Sequence, residues 1–104
     1  MNRQFFVYII TNPSKTVLYT GVTNDLIRRL TEHYFERGNA KTFAGRYYCH
    51  NLIYFEKHHT SIGAIEREKE IKDWNRKKKE ALINSDNPKW SFLNTEIMEW
   101  PPLK

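Results

Sequence analysis

The chain has 104 residues and a mean hydropathy of −0.75, which suits one domain over 1–104 with a small core at about 4–93 and a tail at 94–104. Seventeen Lys and Arg against 12 Asp and Glu give a net charge of +5, which favours a polyanionic partner. A single cysteine excludes an internal disulfide framework, and we find no signal peptide or membrane-length apolar run, so a cytoplasmic setting is expected.

Three strands are predicted from runs of β-branched and aromatic residues at 4–11, 17–22 and 52–56. The turn at 12–15 contains a proline and is short, which makes the first two strands antiparallel.

Two helices complete the pattern. One begins at Thr23 or Asn24 and ends near Gly38, and a longer one runs from about Ser61 to Ile83. The predicted order is β-β-α-β-α followed by the tail. A short sheet with helices packed on it is the economical arrangement, so the fold class is α+β.

Glu68 lies on the apolar face of the long predicted helix, where a charged residue is unusual. Its neighbours at helical spacing are Ala64, Ile65 and Ile71, and a carboxylate among apolar side chains is costly unless it is paired, bound to metal or in a cleft. Two interpretations follow. Glu68 is half of a buried Glu–Arg pair, or it is a single-carboxylate site for Mg²⁺ that leaves most ligands to water and phosphate.

Two adjacent arginines on the first helix differ in their neighbours. Arg28 has Asp25 and Glu32 at helical spacing and looks like a solvated ion-pair position. Arg29 has His33 one turn on and lies at the border of the apolar stripe. Arg29 is therefore either an arginine whose stem flanks the core or a group that holds a phosphate.

Tyr8 and Tyr19 lie on the first two predicted strands, and Gly21 ends the second. Strand tyrosines are most often core aromatics, but Tyr or His can also move a proton. The glycine suits a turn or the close approach of a ligand to the backbone.

Two further sets of polar residues are weaker evidence for a functional site. Cys49-His50 and His58-His59 do not have the spacing of a closed zinc site. The basic run Arg76-Lys77-Lys78-Lys79 is placed near a helix C-terminus, where it either compensates the helix dipole or contacts phosphate.

The ordered motifs resemble the GIY-YIG nuclease superfamily over about residues 4–93, in particular its small stand-alone bacterial members and the N-terminal nuclease domain of the excision-repair endonuclease. The motifs that carry the resemblance are Val7-Tyr8-Ile9, Tyr19-Thr20-Gly21, the stretch from Asn24 to His33, the stretch from Ala64 to Lys72, and Asn87-Pro88-Lys89-Trp90.

The resemblance implies a three-stranded antiparallel sheet flanked by helices and phosphodiester cleavage that depends on Mg²⁺ or Mn²⁺. It implies that Glu68 binds the metal. The catalytic set that it implies is Tyr8, Tyr19, Arg29, His33 and Glu68, and the expected substrate contacts are Gly21, Arg76, Lys77 and Lys78.

The chain departs from the family pattern in three places, and a fourth family residue has two candidates. The first motif is Phe6-Val7-Tyr8 rather than Gly-Ile-Tyr, and Thr20 replaces an isoleucine, but neither change removes a reactive group. Val22 stands where some members carry a lysine. Asn75 and Asn87 are both candidates for the family's asparagine.

The expected function is a divalent-metal-dependent endonuclease acting on nucleic acid, with DNA favoured and a role in DNA repair or processing. The alternative is a nucleic-acid-binding module of the same fold with little or no turnover. A structural adaptor of a repair complex is a weaker third interpretation because it leaves Glu68 unexplained. The substrate structure, the sequence preference and the oligomeric state are left open.

Overall fold

The computed structural model describes residues 3–103. The strands are β1 (Phe5–Thr11), β2 (Leu18–Thr23) and β3 (Asn51–His58), and they form one antiparallel sheet. The helices are α1 (Leu26–Phe35), α2 (Phe43–Arg46), α3 (Ser61–Asp73), α4 (Arg76–Asp86) and α5 (Asn94–Ile97). The predicted α+β class and the three-stranded antiparallel sheet are confirmed.

The sheet order β2-β1-β3 makes β1 the central strand and β2 one of the two edges. Tyr8 pairs with Gly21 of β2 on one side and with Phe55 of β3 on the other. The β1–β2 turn is shaped by Asn12, whose side-chain oxygen accepts hydrogen bonds from the backbone of Thr16 and Val17 at 2.8 and 3.0 Å. This turn sets the register that brings Tyr8 beside Gly21.

Side chains of β1 alternate between two apolar clusters, one on each face of the sheet. Val7 and Ile9 pack on one face against helices α3 and α4, through Ala64, Ile71 and Ile83. Tyr8 and Ile10 pack on the other face, against Leu26 and Leu30 of α1 and against Leu52. Because β1 is buried on both faces, it is a rigid support for the side chains that it carries.

The prediction of one long helix over about 61–83 is wrong, because the structure has two helices there, α3 and α4. Trp74 has an extended backbone, and Asn75 caps α4 by accepting a hydrogen bond from the Lys78 N–H at 2.8 Å. An asparagine at this position competes with helix continuation because its side chain satisfies an N–H of a new first turn.

The break also corrects the placement of the basic run. Arg76, Lys77 and Lys78 lie in the first turn of α4 rather than near a helix C-terminus. Their positive charges therefore do not compensate a helix dipole there.

Other boundaries shift by a few residues. Asp25, not Thr23 or Asn24, is the N-cap of α1, accepting from the Arg28 N–H at 3.0 Å. The segment predicted as irregular contains α2, and β3 extends to His58. Within residues 3–103, no helix is both long and apolar enough to cross a membrane.

Candidate active site

The Tyr8 hydroxyl lies 2.8 Å from Nε2 of His33, in the interior between the sheet and α1. The two side chains come from different elements, since Tyr8 is central in β1 and His33 lies one turn beyond Arg29 in α1. Tyr8 is 1% exposed and His33 is 2% exposed. The fold therefore brings together two of the predicted catalytic residues in a contact shielded from bulk water.

Burial shifts the proton affinities of both groups. It raises the pKa of Tyr8 well above its usual range, although the Arg29 guanidinium works in the opposite direction. Burial, with the positive charge of Arg29, lowers the pKa of His33 to about 3. At neutral pH the phenol keeps its proton and the imidazole is neutral, so the phenol can donate to Nε2. Among residues 3–103, no group makes a hydrogen bond to the buried Nδ1 of His33.

Gly21 allows the Tyr8 ring to lie across β2. A Cβ at this position would come within 2.8 Å of Cε1 of Tyr8 and still closer to its hydroxyl. Any larger residue would displace the ring that reaches His33. The steric demand of Tyr8 thus accounts for the glycine, and a contact between Gly21 and substrate stays a prediction.

The two arginines of α1 occupy different environments. Arg28 is 56% exposed at its side chain and contacts Asp25 and Glu32 at 3.8 and 3.9 Å, the two partners expected from the spacing. Arg29 is 31% exposed and contacts Glu32 at 3.0 Å, and its positive charge works to lower the pKa of Tyr8 against the larger effect of burial. Arg29 is therefore the arginine that faces the Tyr8–His33 pair.

Tyr19 extends this group toward solvent at the β2 edge. Its ring centroid is 5.6 Å from that of His33, in an edge-on arrangement, and 6.2 Å from that of Phe43, in a stacked arrangement. Phe43 is 51% exposed. Tyr19 thus connects the buried pair to an accessible aromatic surface.

Glu68 approaches the group from α3. Ala64 and Ile71 anchor this helix on the opposite face of the sheet from Tyr8, yet the charge of Glu68 contributes to raising the pKa of Tyr8. The Glu68 carboxylate contacts Nζ of Lys72 at 2.9 Å, and Nζ lies 5.6 Å from the Tyr19 ring centroid. Glu68 is therefore linked to Tyr19 of β2 through the Lys72 ammonium, and its charge acts on Tyr8 from the opposite face of the sheet.

The pairing of Glu68 differs from the buried Glu–Arg pair, which was one of its two interpretations from the sequence. Its partner is a lysine four residues on in the same helix, and the lysine side chain is 46% exposed while that of Glu68 is 13% exposed. The carboxylate is thus mostly buried, while its partner is accessible to solvent.

The donor set fits a hard divalent ion that brings most of its own ligands. Within the described part of the chain, no group of three or more His, Cys, Asp or Glu side chains could enclose a metal. Glu68 offers one shielded carboxylate, and Mg²⁺ is commonly bound by one or two carboxylates with water and substrate phosphates completing the shell. Glu68 is the residue that would hold the ion.

The predicted basic contacts lie elsewhere. Arg76 donates to the backbone oxygens of Lys15 and Thr16 at the β1–β2 turn and pairs with Glu80. Lys78 lies 4.5 Å from the Trp74 ring centroid, and Lys77 is exposed. Nothing in residues 3–103 joins these three side chains to the Tyr8–His33 pair, and their role in substrate binding stays a prediction.

The two candidate asparagines both have structural partners. Asn75 caps α4, as described above. Asn87 donates to the backbone oxygens of Ile53 and Ser91 at 2.9 Å each and accepts from the Ser91 N–H at 3.1 Å. Asn87 thereby fastens the segment after α4 to β3.

Two contacts of the site were not predicted from the sequence. Lys72 belongs to a motif of the family resemblance, and its position four residues after Glu68 was a readable signal for an ion pair. Phe43 lies in a segment with no periodic pattern, so nothing local indicated its stacking on Tyr19. A cavity of about 450 Å³ near the start of α1, lined by Phe6, Leu26 and Phe55 among others, includes none of the predicted catalytic residues.

The GIY-YIG catalytic domain matches residues 4–81 of this chain. The chain therefore belongs to the GIY-YIG family, a family of nucleases. It is similar to a UPF0213 protein of Haloquadratum walsbyi, with 42% identity over 82 residues that cover 79% of this chain and 89% of that protein.

Two other similarities agree with this assignment. A UPF0213 protein of Natronomonas pharaonis is 37% identical over 83 residues, covering 80% of this chain and 94% of its own. The solution NMR structure of a UPF0213 protein from Bacillus halodurans superposes with a TM-score of 0.54 at 28% identity, covering 92% of this chain and 97% of that one. The chain thus groups with small stand-alone members of the family.

Proposed function

We propose that this protein is a divalent-metal-dependent endonuclease that hydrolyses phosphodiester bonds of nucleic acid, with DNA as the favoured substrate and DNA repair or processing as the favoured setting. The observation that carries the proposal is the Tyr8–His33 hydrogen bond, with the Tyr19 ring beside it and with the charges of Arg29 and Glu68 acting on Tyr8. Proton-transfer groups, a cation for phosphate and a carboxylate for metal are the parts that such a hydrolysis needs.

The solvent exposure of these residues indicates which of them bind phosphate and metal and which handle the proton. Arg29, Tyr19 and Glu68 are partly accessible, so they are the side chains that a phosphate can reach. Arg29 binds the phosphoryl oxygens and stabilises the charge that develops on them. Glu68 holds the divalent ion, whose chemistry there is to polarise the phosphate and stabilise the leaving oxygen.

Tyr8 and His33 lie behind this layer and handle the proton. The water oxygen bonds to phosphorus as the bond from phosphorus to the leaving oxygen breaks. Tyr8 or His33 accepts the proton that the water loses, and Tyr19 orients the water. A tyrosine can serve only if its pKa, ordinarily about 10, is brought down by the divalent ion or by the Arg29 guanidinium, which already acts in that direction against the effect of burial. Nε2 of His33, at 2.8 Å, accepts a hydrogen bond from the Tyr8 hydroxyl and orients it.

The second candidate is a nucleic-acid-binding module without useful turnover. It is favoured by one observation, since Lys72 neutralises Glu68 in this structure. A net charge of +5 and exposed aromatic residues such as Phe43 would suffice for such binding.

Divalent-metal dependence separates the two functions. Labelled single-stranded, duplex and branched DNA and RNA are incubated with the protein in Mg²⁺, Mn²⁺ or EDTA, and the products are resolved on denaturing gels. Cleavage of at least one substrate with metal and none with EDTA supports the nuclease. Binding that weakens in added Mg²⁺, with every substrate intact, supports the binding module.

A further inference from the structure

Lys72 occupies an unusual place for a surface lysine. Its ammonium is 2.9 Å from the Glu68 carboxylate and 5.6 Å from the centroid of the Tyr19 ring, so it lies between two residues of the candidate site. A cation over an aromatic face is attracted by the ring. Two weak attractions therefore hold the ammonium at the accessible side of the site.

The ammonium and a divalent ion would compete for the same carboxylate. Within residues 3–103, the ion pair with Lys72 is the one salt bridge that Glu68 makes, and a metal bound by Glu68 would lie close to the position that Nζ holds. Two cations at such short separation repel each other strongly. Lys72 must therefore leave Glu68 for a metal to bind there.

The lysine side chain is able to leave. It is 46% exposed, and its four-carbon stem is flexible. An ion pair in which the lysine is this accessible to water is weak. A phosphate group at the site is negatively charged, as the carboxylate is, and can pair with the released ammonium in its place.

We propose that Lys72 is a positioning residue that couples metal binding to nucleic-acid binding. In the free protein its ammonium holds the cation position on Glu68, and it moves to a phosphate oxygen when metal and nucleic acid bind together. This inference rests on the proposed function. Its consequence is that the free protein binds divalent ions weakly and becomes fully loaded only with substrate present.

The first measurement is Mn²⁺ binding to the free protein, followed by electron paramagnetic resonance without nucleic acid. Lys72→Met should bind Mn²⁺ about fivefold more tightly than the wild type, and adding Glu68→Gln should remove the gain. Lys72→Arg keeps the cation and should resemble the wild type. Lys69→Met is the matched control, because Lys69 is an exposed lysine of the same helix and its loss changes the net charge equally.

The second measurement is the salt dependence of oligonucleotide binding, at a fixed Ca²⁺ concentration and again in EDTA. With Ca²⁺, Lys72→Met should reduce the slope of log K against log salt by about one, as the loss of one phosphate contact does. In EDTA the slope should match the wild type, because Lys72 then stays on Glu68.

Unchanged Mn²⁺ affinity in Lys72→Met, or equal gains in Lys72→Met and Lys69→Met, would overturn the proposal. If the wild type cleaves nucleic acid and either result is found, the proposed function stands without this coupling. If no substrate is cleaved but the gain in Mn²⁺ affinity appears and requires Glu68, the nuclease function fails and the role of Lys72 on Glu68 is supported.

Discussion

The buried contact between Tyr8 and His33 has a consequence for stability as well as for proton transfer. Because burial lowers the pKa of His33 from its ordinary 6.5 to about 3, the folded protein resists a protonation that the unfolded chain accepts. Between these two values the unfolded state binds more protons, so the free energy of unfolding falls as pH decreases. Stability from this residue is complete above about pH 6.5 and is lost toward pH 3.

We therefore expect His33→Gln to flatten the pH dependence of stability. Its free energy of unfolding, measured by urea denaturation, should fall less between pH 6.5 and pH 4 than that of the wild type, since glutamine does not titrate. The comparison variant is His59→Gln, which makes the same replacement at an exposed histidine, and the flattening should be larger in His33→Gln. Parallel slopes for all three proteins would mean that His33 is protonated as easily in the folded state as in the unfolded one.

Arg28 and Arg29 provide an internal comparison of adjacent arginines. Arg29→Ala should lower turnover by roughly a hundredfold or more, because it removes the cation proposed to stabilise the phosphoryl oxygens. Arg28→Ala should change turnover little, because its partners are surface groups of α1. Cleavage rates of both folded variants, confirmed by circular dichroism, provide the measurement, and equal losses would contradict the assignment.

For individual residues, the contacts that could be predicted from the sequence are those between positions three or four apart on one helix. The partners of Arg28 followed from the distances of three and four residues along α1. The spacing could not show that Gly21 makes room for the Tyr8 ring, because that fit depends on the register between β1 and β2.

Among the elements, the break between α3 and α4 shows how one capping residue overrides a helical pattern. The charged residues on both sides are good helix formers, and the apolar residues Ile71 and Ile83 both reach the same cluster. Periodicity alone therefore joined the two segments. Local capping by Asn75 and the extended backbone of Trp74 decide the outcome.

The two asparagines should differ in their effects on stability. Asn87→Ala should lower the free energy of unfolding by about 2–3 kcal/mol, because it strands backbone groups of β3 and of the following segment. Asn75→Ala removes one exposed helix cap and should cost about 1 kcal/mol. Urea denaturation of both variants tests this order, and a larger loss in Asn75→Ala would contradict it.

For the molecule as a whole, the site depends on contributions from the sheet and from helices on both of its faces. β1 and β2 supply the tyrosines, and α1 supplies Arg29 and His33. α3 supplies Glu68, whose partner Lys72 lies beside Tyr19 of β2. The α+β class and the three strands were predictable because each strand has a clear composition. The proximity of these side chains was predicted from the helix-face position of Glu68 together with the family resemblance, since no local pattern specifies how elements on the two faces of a sheet come together.

The measurement that tests the central claim most directly is a cleavage assay of Glu68→Gln beside its thermal melt. Glutamine keeps the shape but removes the charge that a hard cation needs, so cleavage should collapse. Nucleic-acid binding should persist or tighten slightly, because one negative charge near the phosphates is gone. The melting temperature should change little, because the ion pair with Lys72 is partly exposed.

We predict a stable, folded Glu68→Gln variant that binds nucleic acid and leaves it intact. Full cleavage by this variant would contradict the proposed role of Glu68, since no metal would then be needed at this residue. A large fall in melting temperature would also contradict it, because Glu68 would then be a structural group whose loss strands a buried partner.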